Sequence, residues 1–226
     1  MPTALITGVS RGLGLALARA LVADGWTLIA DARGADALEA AQGELGERVV
    51  AIPGDVTDPT HRAALIDAAR QVGGLDALVN NASILGPSPQ PALLDYPLET
   101  LREVYEANTI APLALIQEAR PVLNPGARIV NVTSDAAVEA YEGWGGYGSS
   151  KSALEQISNI LAAEHPEWHV YWVDPGDMKT ALHQLAFPGE DISDRPLPET
   201  SVPGFLALLT SNLPSGRYQA RTIASA

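Results

Sequence analysis

The chain has 226 residues, no cysteine, and 27 acidic side chains against 14 basic ones, a formal charge of −13. With 46% hydrophobic and 18% charged residues it can fill a core, which excludes a wholly disordered chain. Net acidity and scattered arginines argue against a nucleic-acid binder and equally against a membrane-surface protein, and the lack of cysteine removes disulfides, thiolate nucleophiles and cysteine-ligated metals.

The first apolar run, Thr3–Thr7, predicts a strand. Neither a basic stretch nor a small-residue cleavage site precedes it, so a cytoplasmic protein is expected. The run ends in Thr7-Gly8-Val-Ser10-Arg11-Gly12-Leu13-Gly14, and a helical pattern, Gly12–Ala23, follows at once. Arg19, Asp24 and Gly25 interrupt the apolar stretch Leu13–Ala30, so it is no membrane span. Glycines at 8, 12 and 14 let the backbone turn tightly and approach a pyrophosphate seated on the helix N-terminus, whereas a plain strand-to-helix turn needs only one.

The second strand, Thr27–Asp31, leads into Ala30-Asp31-Ala32-Arg33. An acid at this strand end suits the ribose diol of NAD and an arginine suits the 2′-phosphate of NADP; both are present. Helix Ala35–Glu44, strand Arg48–Ile52, helix Thr60–Gln71 and strand Ala77–Asn80 come next, with His61 reading as a helix surface residue. A long helical pattern, Leu98–Leu123, contains Pro112. Strand Arg128–Thr133, helix Gly148–Glu164 and strand His169–Val173 complete the alternation, and Ser215–Ile223 offers a final strand. Together these predict an α/β, Rossmann-like doubly wound parallel sheet with helices on both faces, in a single domain over residues 1–226. Four prolines between Phe187 and Pro203 argue against a long helix there, so residues 183–203 are expected to be an excursion, a substrate loop or lid within the domain.

Tyr147-Gly-Ser-Ser-Lys151 places a phenol and an ammonium on one helix face, where the charge favours the phenolate. It is one of two lysines in a chain that otherwise uses twelve arginines, and lysine is the cation whose pKa an enzyme can tune. Ser134 follows a strand at the carboxyl end of the sheet, where its hydroxyl could donate to a substrate oxygen; Thr133 competes for that part. Pro112 lies four residues after Asn108 and disrupts the helix there. Histidine chemistry has little support: His165 and His169 share no helix face, and no group has metal-ligand spacing.

In these motifs, in this order, the sequence resembles the short-chain dehydrogenase/reductase family in its compact single-domain branch, over nearly the whole chain. The resemblance implies a catalytic tetrad of Asn108, Ser134, Tyr147 and Lys151. It implies cofactor contacts from Gly8, Ser10, Arg11, Gly12, Leu13 and Gly14 in the loop, from Asp55 and Val56 in Gly54-Asp-Val-Thr, and from Asn81 and Ala82 in Asn80-Asn81-Ala82. Pro175, Gly176, Met178 and Thr180 match the segment that holds the nicotinamide, beside Tyr147 and Lys151. By the family's register Ala32 stands where NAD users carry their acid, and Arg33, with Arg11, matches NADP users, so NADP(H) is preferred and NAD(H) remains open. One position departs: Ser83 stands where the motif has glycine, so either the turn is remodelled or the side chain makes its own bond.

The implied activity is hydride exchange between the cofactor and a small, apolar carbonyl or alcohol, with Tyr147 as general acid/base and Asn108 holding a relay water. Tyr141, Trp144, His183 and Phe187, with Leu85 and Leu185, are the candidate substrate contacts. The alternative is an NAD(P)-binding sensor or scaffold, whose mark would be a broken tetrad. A homodimer is expected, and a homotetramer is compatible.

Overall fold

The alternation of strands and helices is realised in a computed structural model that describes residues 1–223; the last three residues of the expected 1–226 domain lie outside them. The strands are β1 (Thr3–Thr7), β2 (Thr27–Ala32), β3 (Val49–Pro53), β4 (Leu75–Asn80), β5 (Leu123–Val132), β6 (His169–Asp174) and β7 (Gly216–Gln219). They form one seven-stranded sheet in the order β3-β2-β1-β4-β5-β6-β7, and every pairing is parallel. The helices are α1 (Gly12–Ala23), α2 (Ala35–Leu45), α3 (Pro59–Gln71), α4 (Leu98–Tyr105), α5 (Ala111–Ala119), α6 (Gly145–Glu164), α7 (Ala181–Ala186), α8 (Val202–Thr210) and α9 (Ala220–Ile223).

Strand β1 is buried throughout because both its faces are covered. Ala4 and Ile6 pack with Leu17 and Leu21 of α1 and Phe205 and Leu208 of α8, whereas Leu5 packs on the other face with Leu65 of α3 and Leu115 of α5. Helix α3 starts where its sequence says it should: Asp58 accepts from the Thr60 N–H at 2.8 Å, and Pro59 occupies the first turn. Strand order reverses between β1 and β4, so the chain leaving Thr7 and the chain leaving Asn80 part company and open a crevice at the carboxyl edge.

Two prolines act differently on their helices. The helix expected over Leu98–Leu123 is split into α4 and α5 by a π-helical turn, Glu106–Ile110. Pro112 explains it: having no N–H, it leaves the carbonyl of Asn108 without its i+4 donor, and the ladder slips by one residue beforehand. Conversely, Pro203 does not bar a helix but sits in the first turn of α8, where a missing N–H costs nothing. The excursion 183–203 therefore begins inside α7 and ends in α8, with an irregular stretch between. Helix α6 starts at Gly145 rather than Gly148, which puts Tyr147 in its first turn.

Candidate active site

The glycine loop is clamped from β4. The Thr7 hydroxyl oxygen accepts from the main-chain N–H groups of Asn81 (3.0 Å) and Ala82 (2.9 Å), while the Asn81 amide donates to the carbonyls of Thr7 (2.8 Å) and Gly8 (3.2 Å). Gly8 and Gly12 hold φ of +75° and +58°, and a Cβ on Gly14 would lie 2.2 Å from the Gly8 carbonyl oxygen. The loop thus borders a cleft of about 1320 Å³ through Gly8, Ser10, Arg11, Gly12 and Leu13, with Gly14 packed behind them.

One end of the cleft is formed by Arg33, Asp55 and Val56, with Asn81 and Ala82 along its side. Partial burial works against the Asp55 charge, but two hydrogen bonds from Thr57, helped by Arg33 and His61, hold its pKa below the ordinary carboxylate value. Asp31, the rival of Arg33, is only 2% exposed and is bound to Nε2 of His61 at 3.1 Å. His61 is therefore not a surface residue; Gly54 makes room for it, since a Cβ there would meet the ring at 2.2 Å. Burial pushes Asp31 up to about 6, against the pull of His61.

At the opposite end, Tyr147 and Lys151 lie one turn apart on α6, both buried and both on the cleft. The ammonium donates to the Val132 carbonyl at 2.8 Å and sits 5.6 Å from the Tyr147 ring centre. Burial pushes Lys151 down to about 7 and raises Tyr147 well above an ordinary phenol. The expected lowering of Tyr147 by Lys151 is therefore not what this arrangement delivers: the phenol is desolvated, and the lysine is only partly charged near neutrality. The group that does pull Tyr147 down is Ser83.

A buried ammonium with no carboxylate partner among the described residues costs stability, and the pH dependence follows. Below pH 7 the lysine is charged in both folded and unfolded chains and the full penalty applies; it fades as pH rises from about 7 toward ~10.4. Lys151→Met is expected to stabilise the cofactor-free chain by about 1–2 kcal/mol at pH 7, net of the unpaired Val132 carbonyl, and to lose that advantage near pH 10. Urea unfolding at both pH values checks this; a Met variant weaker at pH 7 would contradict it.

The other tetrad residues are more committed than expected. The Asn108 carboxamide is fully buried: its oxygen accepts from Ile84 N–H (2.9 Å) and the Ser83 hydroxyl (3.1 Å), and its nitrogen donates to the Ile84 carbonyl (2.9 Å) and Ser150 (3.1 Å). Thr133 lines the cleft, yet its hydroxyl donates to Glu155 at 2.8 Å. Ser134 does not line it; its hydroxyl donates to Asp135 at 2.8 Å within its own turn. That turn is braced from the sheet edge, where Arg217 of β7 donates to Glu155 (3.0 Å) and to the Ser134 carbonyl (3.3 Å) and lies 3.8 Å from Asp174.

Pro175, Met178 and Thr180 face the cleft, although the Thr180 hydroxyl also caps α7 by accepting from His183 N–H. Gly176 does not line it; its N–H donates to Asp174 and its φ is +72°. The four aromatic candidates form a chain beside the cleft rather than its wall. Trp144 meets Tyr141 at 6.2 Å, Tyr147 at 5.9 Å and Phe187 at 6.2 Å, and Phe187 meets His183 at 4.9 Å. His183 accepts from Arg195, and burial lowers its pKa against the pull of Asp177. Leu85, Leu182 and Leu185 supply the apolar wall itself. Among these, Leu182, Ser150, Glu155 and Arg217 carried no sequence signal, whereas Ser83 was marked by its departure from the motif.

Residues 2–191 match the short chain dehydrogenase family profile. An uncharacterised oxidoreductase of Methylorubrum extorquens is 30% identical over 226 residues, covering 92% of this chain and 90% of that protein. A benzil reductase ((S)-benzoin forming) of Saccharomyces cerevisiae is 31% identical over 191 residues, 80% of this chain and 73% of that protein. The solved structure of a short chain dehydrogenase from Escherichia coli CFT073, complexed with NADPH, superposes with a TM-score of 0.86 at 25% identity, covering 97% of this chain and 96% of that one.

Proposed function

The chain belongs to the short-chain dehydrogenase family, and from that premise we propose that it is an NADP(H)-dependent oxidoreductase interconverting a carbonyl and a primary or secondary alcohol on a small apolar substrate. The observation that carries this is the pairing of Tyr147 and Lys151 in one cleft with the glycine loop. The residues fit a nicotinamide dinucleotide: two left-handed glycines and a loop that a Cβ at position 14 would fill stand at the N-terminus of α1. When bound, that group supplies or accepts the hydride.

The chain's own residues do the rest. Tyr147 hands its hydroxyl proton to the carbonyl oxygen in reduction and recovers one in oxidation. Lys151 stands one helical turn from it on the cleft side of α6, and the Ser134 hydroxyl, bonded to Asp135 in the cofactor-free chain, is the candidate donor to the same oxygen. The Asn108 main-chain carbonyl, deprived of its donor by Pro112, is an acceptor for the relay water. Leu85, Leu182 and Leu185, backed by Trp144, favour an apolar or aromatic substituent, and the benzil reductase relative acts on a compound of that kind.

Both Asp31 and Arg33 line the cleft, and NADP(H) is favoured because Asp31 is buried and bonded to His61 whereas Arg33 brings a positive charge to it. Arg33→Ala is expected to weaken NADPH binding about tenfold to a hundredfold and to leave NADH binding nearly unchanged, since one charge-assisted bond is lost. Fluorescence titration with both nucleotides decides it, and equal losses would overturn the preference. The activity itself is tested by following NADPH oxidation with a panel of aliphatic and aromatic aldehydes, ketones and benzil. Nucleotide binding without turnover on any of them would count against the reading.

A further inference from the structure

Three consecutive residues carry the chain out of β5, and each is tied to a different anchor. The Val132 carbonyl accepts from the Lys151 ammonium at 2.8 Å, the Thr133 hydroxyl donates to Glu155 at 2.8 Å, and the Ser134 carbonyl accepts from Arg217 at 3.3 Å. We propose that Arg217, on β7, is a positioning residue for the reaction: it sets the Ser134 main chain from which the hydroxyl reaches the substrate oxygen. The inference rests on the reading of Ser134 as the donor to that oxygen.

In the parallel pairing of β6 with β7, Arg217 stands opposite Trp172, and the next residue, Tyr218, turns to the other face and packs edge-on against Tyr171. Arg217 is thereby on the face that α6 covers, where Glu155 lies one helical turn beyond Lys151. Its planar fork makes two sets of contacts at once. Nε donates to both Glu155 oxygens, at 3.0 and 3.2 Å, while Nη2 donates to the Ser134 carbonyl and lies 3.8 Å from Asp174. The Glu155 and Asp174 side chains are only 12% and 6% exposed, so the pairing is shielded from solvent and salt and holds the guanidinium in one orientation.

A peptide unit is planar, so holding the Ser134 carbonyl oxygen holds the whole unit that joins Ser134 to Asp135. The residue before it is anchored as well, because the Thr133 N–H donates to the Val173 carbonyl at 2.9 Å. With its main chain held on both sides, Ser134 aims its hydroxyl by side-chain rotation alone. In the cofactor-free chain that hydroxyl donates to Asp135 and accepts from the Ala136 N–H at 3.2 Å. Thr133 is no rival for the donor's part, because its proton is committed to the Glu155 carboxylate. One carboxylate thus occupies Thr133 directly and sets Ser134 through Arg217.

The test uses the full chain with NADPH and the panel's fastest carbonyl substrate, comparing Arg217→Gln, Arg217→Lys, Ser134→Ala, and Arg217→Gln combined with Ser134→Ala. Arg217→Gln is expected to lower kcat about tenfold, with KM and NADPH binding nearly constant. Lysine keeps the positive charge opposite Glu155 and Asp174 but lacks the second nitrogen of the fork. Arg217→Lys should therefore melt close to the parent and still be as slow as Arg217→Gln. Ser134→Ala alone should cost about a hundredfold in kcat, and the combined variant should be no slower, because the place of a hydroxyl ceases to matter once it is removed. Losses that multiply in the combined variant would overturn the proposal, as would an Arg217→Lys rate that recovers along with its melting temperature. Should Arg217→Gln not fold, Arg217→Lys alone and with Ser134→Ala decides in the same way. If Ser134→Ala is slow while both Arg217 variants turn over like the parent, Arg217 alone falls; if Ser134→Ala keeps its turnover, both readings fall.

Discussion

Tyr147→Phe is expected to lower kcat/KM by a factor on the order of 10³ while NADPH binds as before. The loss is chemical because the replacement is nearly isosteric. The ring stays in its buried place beside Trp144, Leu85 and Ala136, and the only atom removed is the hydroxyl oxygen. Ser83 keeps its bond to Asn108, so no buried donor is stranded, and a stability change within about 1 kcal/mol is expected. Steady-state rates, a nucleotide titration and a melting curve on one preparation separate the three quantities. Turnover within a few-fold of the parent would remove Tyr147 from the mechanism.

Gly14→Ala should show the second large effect, with a sign opposite to the usual one. A glycine inside a helix ordinarily gains about 1 kcal/mol on becoming alanine. Gly43 in α2 has nothing within 4 Å of its prospective Cβ, and Gly43→Ala is the control expected to stabilise by roughly that amount. At Gly14 the same methyl would meet the Gly8 carbonyl oxygen at 2.2 Å and the Asn81 amide at 2.7 Å. Both belong to the clamp that shapes the loop, so α1 must move away from the end of β1. A destabilisation of about 2–4 kcal/mol follows, with NADPH binding weakened at least about a hundredfold. Denaturant unfolding of the two variants gives the comparison; if Gly14→Ala gained stability as the control does, the close approach at the loop would be wrong.

What the sequence disclosed and what it hid divide along the range of the interactions. β1 and α1 were readable to the residue because their boundaries are set locally, by an apolar run and by the glycines that follow it. Tyr147 and Lys151 were readable because four residues is one helical turn. The effect of a proline depends on where in the helix its missing N–H falls: Pro112 interrupts the long pattern that contains it, and Pro203 sits in a first turn. The pairing of His61 with Asp31 was hidden because it joins α3 to the end of β2 and needs the space left by Gly54. The turn holding Ser134 was hidden likewise, since its hydroxyl answers to Asp135 and its carbonyl to Arg217, 83 residues further on.

That last contact has a consequence for biosynthesis. β7 is the seventh strand in the chain as well as the edge of the sheet, so Arg217 leaves the ribosome after β1 through β6 and after all of α6. The glycine loop, Tyr147 and Lys151 all lie on segments that precede β7 in the chain. The brace on Glu155, Asp174 and the Ser134 carbonyl comes later, when the edge strand docks. A chain cut short before residue 216 would keep the segments of the glycine loop, Tyr147 and Lys151 and lose the brace on the Ser134 turn.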